Sequence, residues 1–298
     1  YENDGAADPS FTARTITTST DGATSVFAAD VDGDGDMDVL SSSQDDDKIA
    51  WYENDGAADP SFTMINITTS ADKAQSVYAA DVDRDGDIDI LSASSYDDKI
   101  AWYENNGAAD PSFTARTITT GADGAASVFV ADVDSDGQMD ILSASNADDK
   151  IAWYENATAA PGTPTFTAAD IATSADGTRG VFVADMDNDG DMDILSASQV
   201  DDAIAWYEND GAANPSWTAA DIATSADDAF SVFAADMDND GDMDIVSASK
   251  NDDAIAWYEN NGAADPSWTA ADIATSADGA RGVFVADMDN DGDLDIVS

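Results

Sequence analysis

The chain has 298 residues and a formal net charge of −53, from 63 acidic against 10 basic residues. Such a surface repels nucleic acid and anionic membranes, both of which bind through clustered Lys and Arg. There is no Cys and no His, which excludes disulfides and thiolate metal sites and removes the commonest general base and transition-metal ligand.

Apolar residues make up 43%, enough for a core despite the charge. No apolar run is long enough to span a membrane as a helix. No signal-peptide pattern is visible at Tyr1, which stands inside a repeat. The acids are 57 Asp and only 6 Glu. Asp is the residue favoured where a short carboxylate folds back onto a turn or a cation.

The triplet Tyr-Glu-Asn recurs at Tyr1, Tyr52, Tyr103, Tyr154, Tyr207 and Tyr258, at spacings of 51, 51, 51, 53 and 51. A period near 50 points to a propeller or a solenoid. The longer spacing holds Pro161-Gly162-Thr163-Pro164-Thr165, which places the two extra residues in a turn.

In chain order, one unit predicts four strands between turn signals. The first is Ser25 to Val31. The second, after an Asp-Gly loop, is Met37 to Ser43. The third is Lys48 to Asn54, and the fourth, after Asp59-Pro60, is Phe62 to Thr69. In Ile49-Ala50-Trp51-Tyr52 and Val26-Phe27-Ala28-Ala29 both faces are apolar. A sheet covered on both faces fits radially stacked propeller blades better than a two-sheet sandwich.

The predicted fold is therefore all-β: a single domain over 1–298, a β-propeller of six four-stranded antiparallel blades. Blades are expected near 25–69, 76–120, 127–173, 180–224 and 231–275, with 282–298 joined by 1–18 as the closing blade. Seven blades are the alternative if the chain is a piece of a longer one.

The loop between the first two strands is the strongest chemical signal. Its first copy is Asp30-Val31-Asp32-Gly33-Asp34-Gly35-Asp36-Met37-Asp38. Ca²⁺ takes six to eight oxygens, and a nine-residue loop supplies them from alternate positions. The expected ligands are Asp30, Asp32, Asp34, Asp36 and Asp38; Asp81, Asp83, Asp85, Asp87 and Asp89; Asp132, Asp134, Asp136, Gln138 and Asp140. The other three sets are Asp185, Asp187, Asp189, Asp191 and Asp193; Asp236, Asp238, Asp240, Asp242 and Asp244; Asp287, Asp289, Asp291, Asp293 and Asp295.

Position 6 is Gly in all six copies, where the turn is sharpest. Gln138 at position 7 is compatible with ligation by a backbone carbonyl. Position 4 varies, as expected of an outward residue. The competing reading is an ordinary Asp-Gly turn, but a turn does not need five carboxylates in nine positions. An EF-hand is excluded because its twelfth residue is a bidentate Glu, whereas here it is Ser41, Ser92, Ser143, Ser196, Ser247 or Ser298.

Val26-Phe27-Ala28-Ala29-Asp30-Val31-Asp32, the loop, and Asp38-Val39-Leu40 resemble the FG-GAP or VCBS-type repeat of integrin α subunits and secreted bacterial proteins. The resemblance implies a β-propeller in which Asp30, Asp32, Asp34 and Asp38 bind Ca²⁺ through side chains and Asp36 through its carbonyl, with matching positions in the other repeats. The Phe-Gly pair is absent, and Gly-Ala-Pro is replaced by Ser-Ser-Ser or Ser-Ala-Ser, which places the chain nearer the bacterial type.

Trp51, Trp102, Trp153, Trp206 and Trp257 are expected in the core, with Phe11, Phe62, Phe113, Phe166, Trp217 and Trp268 packing as well. Asp pairs such as Asp46-Asp47 read as turn residues. Arg14, Arg116, Arg179 and Arg281 are scattered, and only a common propeller mouth would make them an anion site.

The function expected is a non-enzymatic, Ca²⁺-stabilised, secreted or cell-surface module for adhesion or ligand binding. Its partner is a protein or glycan, and it stands as a monomer or as part of a larger surface protein. The alternatives are a carbohydrate lyase or hydrolase on the same scaffold, and a purely structural spacer.

Overall fold

The computed structural model describes residues 2–3, 10–158 and 163–298. Tyr1 and the Pro161-Gly162 part of the insertion lie outside the described residues. All described regular structure is strand: β1 (Glu2–Asn3), β2 (Phe11–Thr12), β3 (Ala23–Ala29), β4 (Asp38–Ser43), β5 (Lys48–Asn54), β6 (Phe62–Thr68), β7 (Ala74–Ala80), β8 (Asp89–Ser94), β9 (Lys99–Asn105), β10 (Phe113–Thr119), β11 (Ala125–Ala131) and β12 (Asp140–Ser145). There follow β13 (Lys150–Asn156), β14 (Phe166–Ala172), β15 (Thr178–Ala184), β16 (Asp193–Ser198), β17 (Ala203–Asn209), β18 (Trp217–Ala223), β19 (Ala229–Ala235), β20 (Asp244–Ser249), β21 (Ala254–Asn260), β22 (Trp268–Ala274), β23 (Phe284–Ala286) and β24 (Asp295–Val297).

The chain divides into two compact units, 16–175 and 1–15 with 176–298. The first holds three four-stranded antiparallel meanders, β3 to β6, β7 to β10 and β11 to β14. The second holds two more, β15 to β18 and β19 to β22, together with the two-stranded sheets β1–β2 and β23–β24. The fold is that of a β-propeller, as its repeat predicts.

In the segments 1–18 and 282–298, β1–β2 and β23–β24 are two-stranded sheets among the described residues. The side-chain amide of Asn3 donates to the Met288 carbonyl. Asn105 makes the same bond to Val31 and Asn260 to Met186, in each case reaching the preceding sheet. Asn3 thus stands to Met288 as a residue of the next sheet.

Each blade begins with a half-buried strand, runs through two buried ones and ends exposed. β8, β12, β16 and β20 are buried at every residue, because their Ile, Leu, Val, Ala and Ser side chains meet a neighbour on both faces. The first strand keeps its predicted length of seven residues but starts and stops two residues earlier, at Ala23 and Ala29, since Asp30 and Val31 already turn into the loop. Its apolar pattern is not covered on both sides. Val77 is 3% exposed but Val26 is 70% exposed.

The core lies between successive sheets. Leu40 and Trp51 of one sheet pack against Val77, Ile90 and Tyr103 of the next; Leu195 and Trp206 meet Val232, Ile245 and Tyr258 in the same way. Trp51, Trp102, Trp153 and Trp206 are all under 5% exposed, so they are core. The fourth-strand aromatics stand edge-on to them: Phe113 to Trp51 at 6.3 Å and Trp268 to Trp206 at 6.5 Å. Such contacts add to area burial.

The Asp pairs do more than turn the chain. Asp98 and Asp253, both at positive φ, reach the following repeat: Asp98 Oδ1 accepts the Gly124 N–H at 3.1 Å and Asp253 Oδ1 the Gly279 N–H at 2.9 Å.

Candidate metal centre

Each acidic loop joins the first strand of a sheet to the second and is wound by its own carboxylates. In the first copy, Asp30 Oδ2 accepts the Gly35 N–H at 3.0 Å, Asp32 Oδ1 the Asp34 N–H at 3.2 Å and Asp34 Oδ1 the Asp36 N–H at 2.9 Å. Each bond closes a small side-chain-to-backbone turn. The Asp30 and Asp132 Oδ1 atoms are buried with no hydrogen-bond partner.

Ligand oxygens converge within 4.8 Å in Asp30, Asp32 and Asp34; in Asp81, Asp83 and Asp85; in Asp132, Asp134 and Asp136; and in Asp236, Asp238 and Asp240. The corresponding group at the fourth loop is Asp185, Asp187 and Asp193. An all-oxygen donor set holding buried, unpartnered carboxylate atoms suits a hard divalent cation.

Two positions carry structural work that the sequence reading does not assign them. Position 4 is not a free outward residue: Arg84, Ser135, Asn188, Asn239 and Asn290 all have φ between 57° and 61°. The loop requires the left-handed conformation there, which Asn tolerates and most other residues disfavour.

Position 9 is buried, and both its oxygens are committed to the backbone. Asp140 Oδ2 accepts the Val133 N–H at 3.2 Å and its Oδ1 the Asn156 N–H at 2.8 Å; Asp38, Asp89, Asp193 and Asp244 do the same. This carboxylate ties the loop to the third strand. Burial pushes Asp89, Asp140 and Asp193 up to about 7. Burial, then the charge of Asp85, raises Asp83 to about 6.

Position 7 lies outside the converging groups named above. The ligand expected there is the backbone carbonyl, and in three copies the side chain is held by the preceding loop. Asn188 Nδ2 donates to Asp242 Oδ1 at 2.7 Å and Asn239 Nδ2 to Asp293 Oδ1 at 3.2 Å. Where position 4 is Arg84, its partner at position 7 is Gln138, at 3.1 Å. The spacing hides this pairing, because the two residues stand 54 apart in sequence.

The FG-GAP-like repeat matches residues 1–41, 30–92, 83–143, 132–196, 185–247 and 236–298. The chain belongs to this family. No curated protein matches it. Among solved structures, an Agrocybe aegerita lectin recognising non-reducing terminal N-acetylglucosamine is similar at a TM-score of 0.62 and 20% identity, over 92% of this chain and 74% of that one. The Vibrio cholerae biofilm matrix protein Bap1 is similar at 0.51 and 17%, with 90% of this chain covering 41% of Bap1. A Pseudomonas aeruginosa periplasmic gluconolactonase is similar at 0.56 and 12%, over 90% and 72%. At these identities the likeness is one of fold. No helix among the described residues is long and apolar enough to cross a membrane.

Proposed function

We propose that this FG-GAP-like propeller is a non-enzymatic Ca²⁺-binding module, secreted or displayed on a cell surface, that binds a protein or glycan ligand. The observation that carries the reading is the convergence of three carboxylates in successive loops, with the buried Oδ1 atoms of Asp30 and Asp132 left without a donor. Positions 1, 3 and 5 would hold the ion, and position 9 contributes at Asp193, where it joins Asp185 and Asp187. Bound Ca²⁺ supplies positive charge that offsets the mutual repulsion of these carboxylates. The module is read as a binder because its acids recur at equivalent positions of the repeat and are accounted for by it.

Native mass spectrometry with and without EDTA tests this. The expected result is up to six Ca²⁺ per chain, lost together with a drop in the unfolding temperature; a chain carrying no Ca²⁺ in millimolar CaCl₂ would overturn the reading. Glycan depolymerisation by the purified protein would replace it with the enzyme alternative.

A further inference from the structure

Of the ten basic residues, Lys48, Lys73, Lys99, Arg116, Lys150 and Lys250 are ion-paired to carboxylates. Arg179 and Arg281 are different. In a chain with 63 acids, neither has a carboxylate within salt-bridge distance among the described residues. Both instead lie over one ring: each guanidinium is 5.4 Å from the centroid of Phe230.

The three residues occupy one equivalent position in three successive repeats, where the earlier repeats carry Thr24, Gln75 and Ala126. In β15 and β19 this position is a β-bulge: the pairing jumps from Thr178 to Gly180 and from Ala229 to Ser231, leaving Arg179 and Phe230 without a partner across the ladder. A bulge re-aims its side chain. Gly180 and Gly282 follow the two arginines, where Ser25, Ser76, Ser127 and Ser231 stand elsewhere. The cluster lies at the start of the first strands, whereas the acidic loops leave from their far end, about 20 Å away at 3.3 Å per residue.

A guanidinium stacked on a ring keeps its in-plane N–H edge for other partners. Arg179 gives Nε to the side-chain oxygen of Gln199, which leaves its terminal nitrogens as a fork. Arg179 is half-buried. Burial, with the Arg281 charge, lowers its proton affinity, and only Asp228 opposes this. Asp228 is itself engaged by Lys250 Nζ at 2.7 Å.

We infer that Arg179, Phe230 and Arg281 form a binding site for a compact carboxylate ligand, each guanidinium offering its fork to a carboxylate. Two parallel N–H···O bonds to a planar carboxylate match that geometry. A compact ligand is favoured over a polyanion because every added negative charge meets the field of a chain at −53. The inference rests on the reading of the chain as a binding module, and it names that module's ligand class.

Isothermal titration of the whole chain in CaCl₂ buffer tests it, with the galacturonic acid dimer, succinate, sodium sulfate and neutral cellobiose as probes. Binding of the uronate dimer or of succinate is expected, and which of them binds tells a sugar acid from a free dicarboxylate. Arg281→Gln should weaken it about 10-fold, the value of one charged hydrogen-bonded contact. Arg281→Lys should weaken it partly, and Arg179→Gln with Arg281→Gln should abolish it. Arg116→Gln, at an ion-paired arginine, should leave it unchanged.

The inference is overturned if wild type binds neither carboxylate, if the double variant binds as wild type does, or if sulfate or cellobiose binds equally well. Thermal melts confirm that each variant is folded. A negative result with Ca²⁺ still bound in native spectra removes this site alone, whereas absence of Ca²⁺ removes the wider reading.

Discussion

Arg84 Nη1 donates a hydrogen bond to Gln138 Oε1 across two successive acidic loops, at 3.1 Å. The third loop is the one in which position 7 is not Asp. In the same repeat the glycine two residues after the third strand's Asn is replaced by Thr158. The two departures are linked. At Gly107 a Cβ would stand 2.0 Å from Asp87 Oδ2, and at Gly56 2.1 Å from Asp36 Oδ2. An Asp at position 7 thus has to shift before a side chain can take the glycine's place, whereas Gln138 is turned to Arg84.

Gly107→Ala should therefore destabilise by about 1–3 kcal/mol, combining a positive φ with a clash. Asp87→Gln should relieve the clash part, giving a coupling of about 1 kcal/mol in a double-mutant cycle. Thr158→Gly should change stability by less than about 1 kcal/mol. Urea titrations of the four proteins measure this, and strict additivity of the Gly107 and Asp87 changes would refute the link.

Asp140 and Asp136 should fail in different ways. Asp140→Ala leaves the Val133 and Asn156 N–H groups buried without an acceptor, a loss of about 2–4 kcal/mol even in EDTA. Asp136→Ala removes an exposed loop carboxylate and should lower Ca²⁺ uptake by one ion while changing metal-free stability by less than about 1 kcal/mol. Equal melting temperatures for the two variants in EDTA would contradict the separation of roles.

The metal-free protein should be more stable at pH 5 than at pH 8. Asp89, Asp140 and Asp193 titrate at about 7 when folded, above their unfolded value of about 3.9. Between those limits the folded state binds more protons than the unfolded state, so stability falls as pH rises. Ca²⁺ needs the deprotonated carboxylates, so in CaCl₂ this trend should shrink or reverse. Melting curves in EDTA that rise from pH 5 to pH 8 would be inconsistent with the burial of position 9.

Trp102→Ala should cost about 3–5 kcal/mol, as a large buried side chain does. Tyr96→Ser, at a residue 72% exposed, should stay within about 0.5 kcal/mol. The same urea titrations decide, and a neutral Trp102 variant would return the repeated Trp to the role of a surface platform.

The Tyr-Glu-Asn repeat, the strand alternation and the nine-residue loops determined the all-β blade, the buried Trp row and the position of the candidate metal centre. These depend on local pattern: a strand's period of two, and carboxylates close enough in sequence to meet in one turn. Tertiary structure alone decided the rest. It made Asp140 a buried backbone acceptor, because one of its donors, Val133, lies in the loop and the other, Asn156, on the third strand. It set Asn3 against the Met288 carbonyl, as Asn105 is set against Val31. It also drew Arg179, Phe230 and Arg281 from three repeats onto one ring, because stacking successive sheets brings equivalent positions side by side across more than fifty residues of sequence.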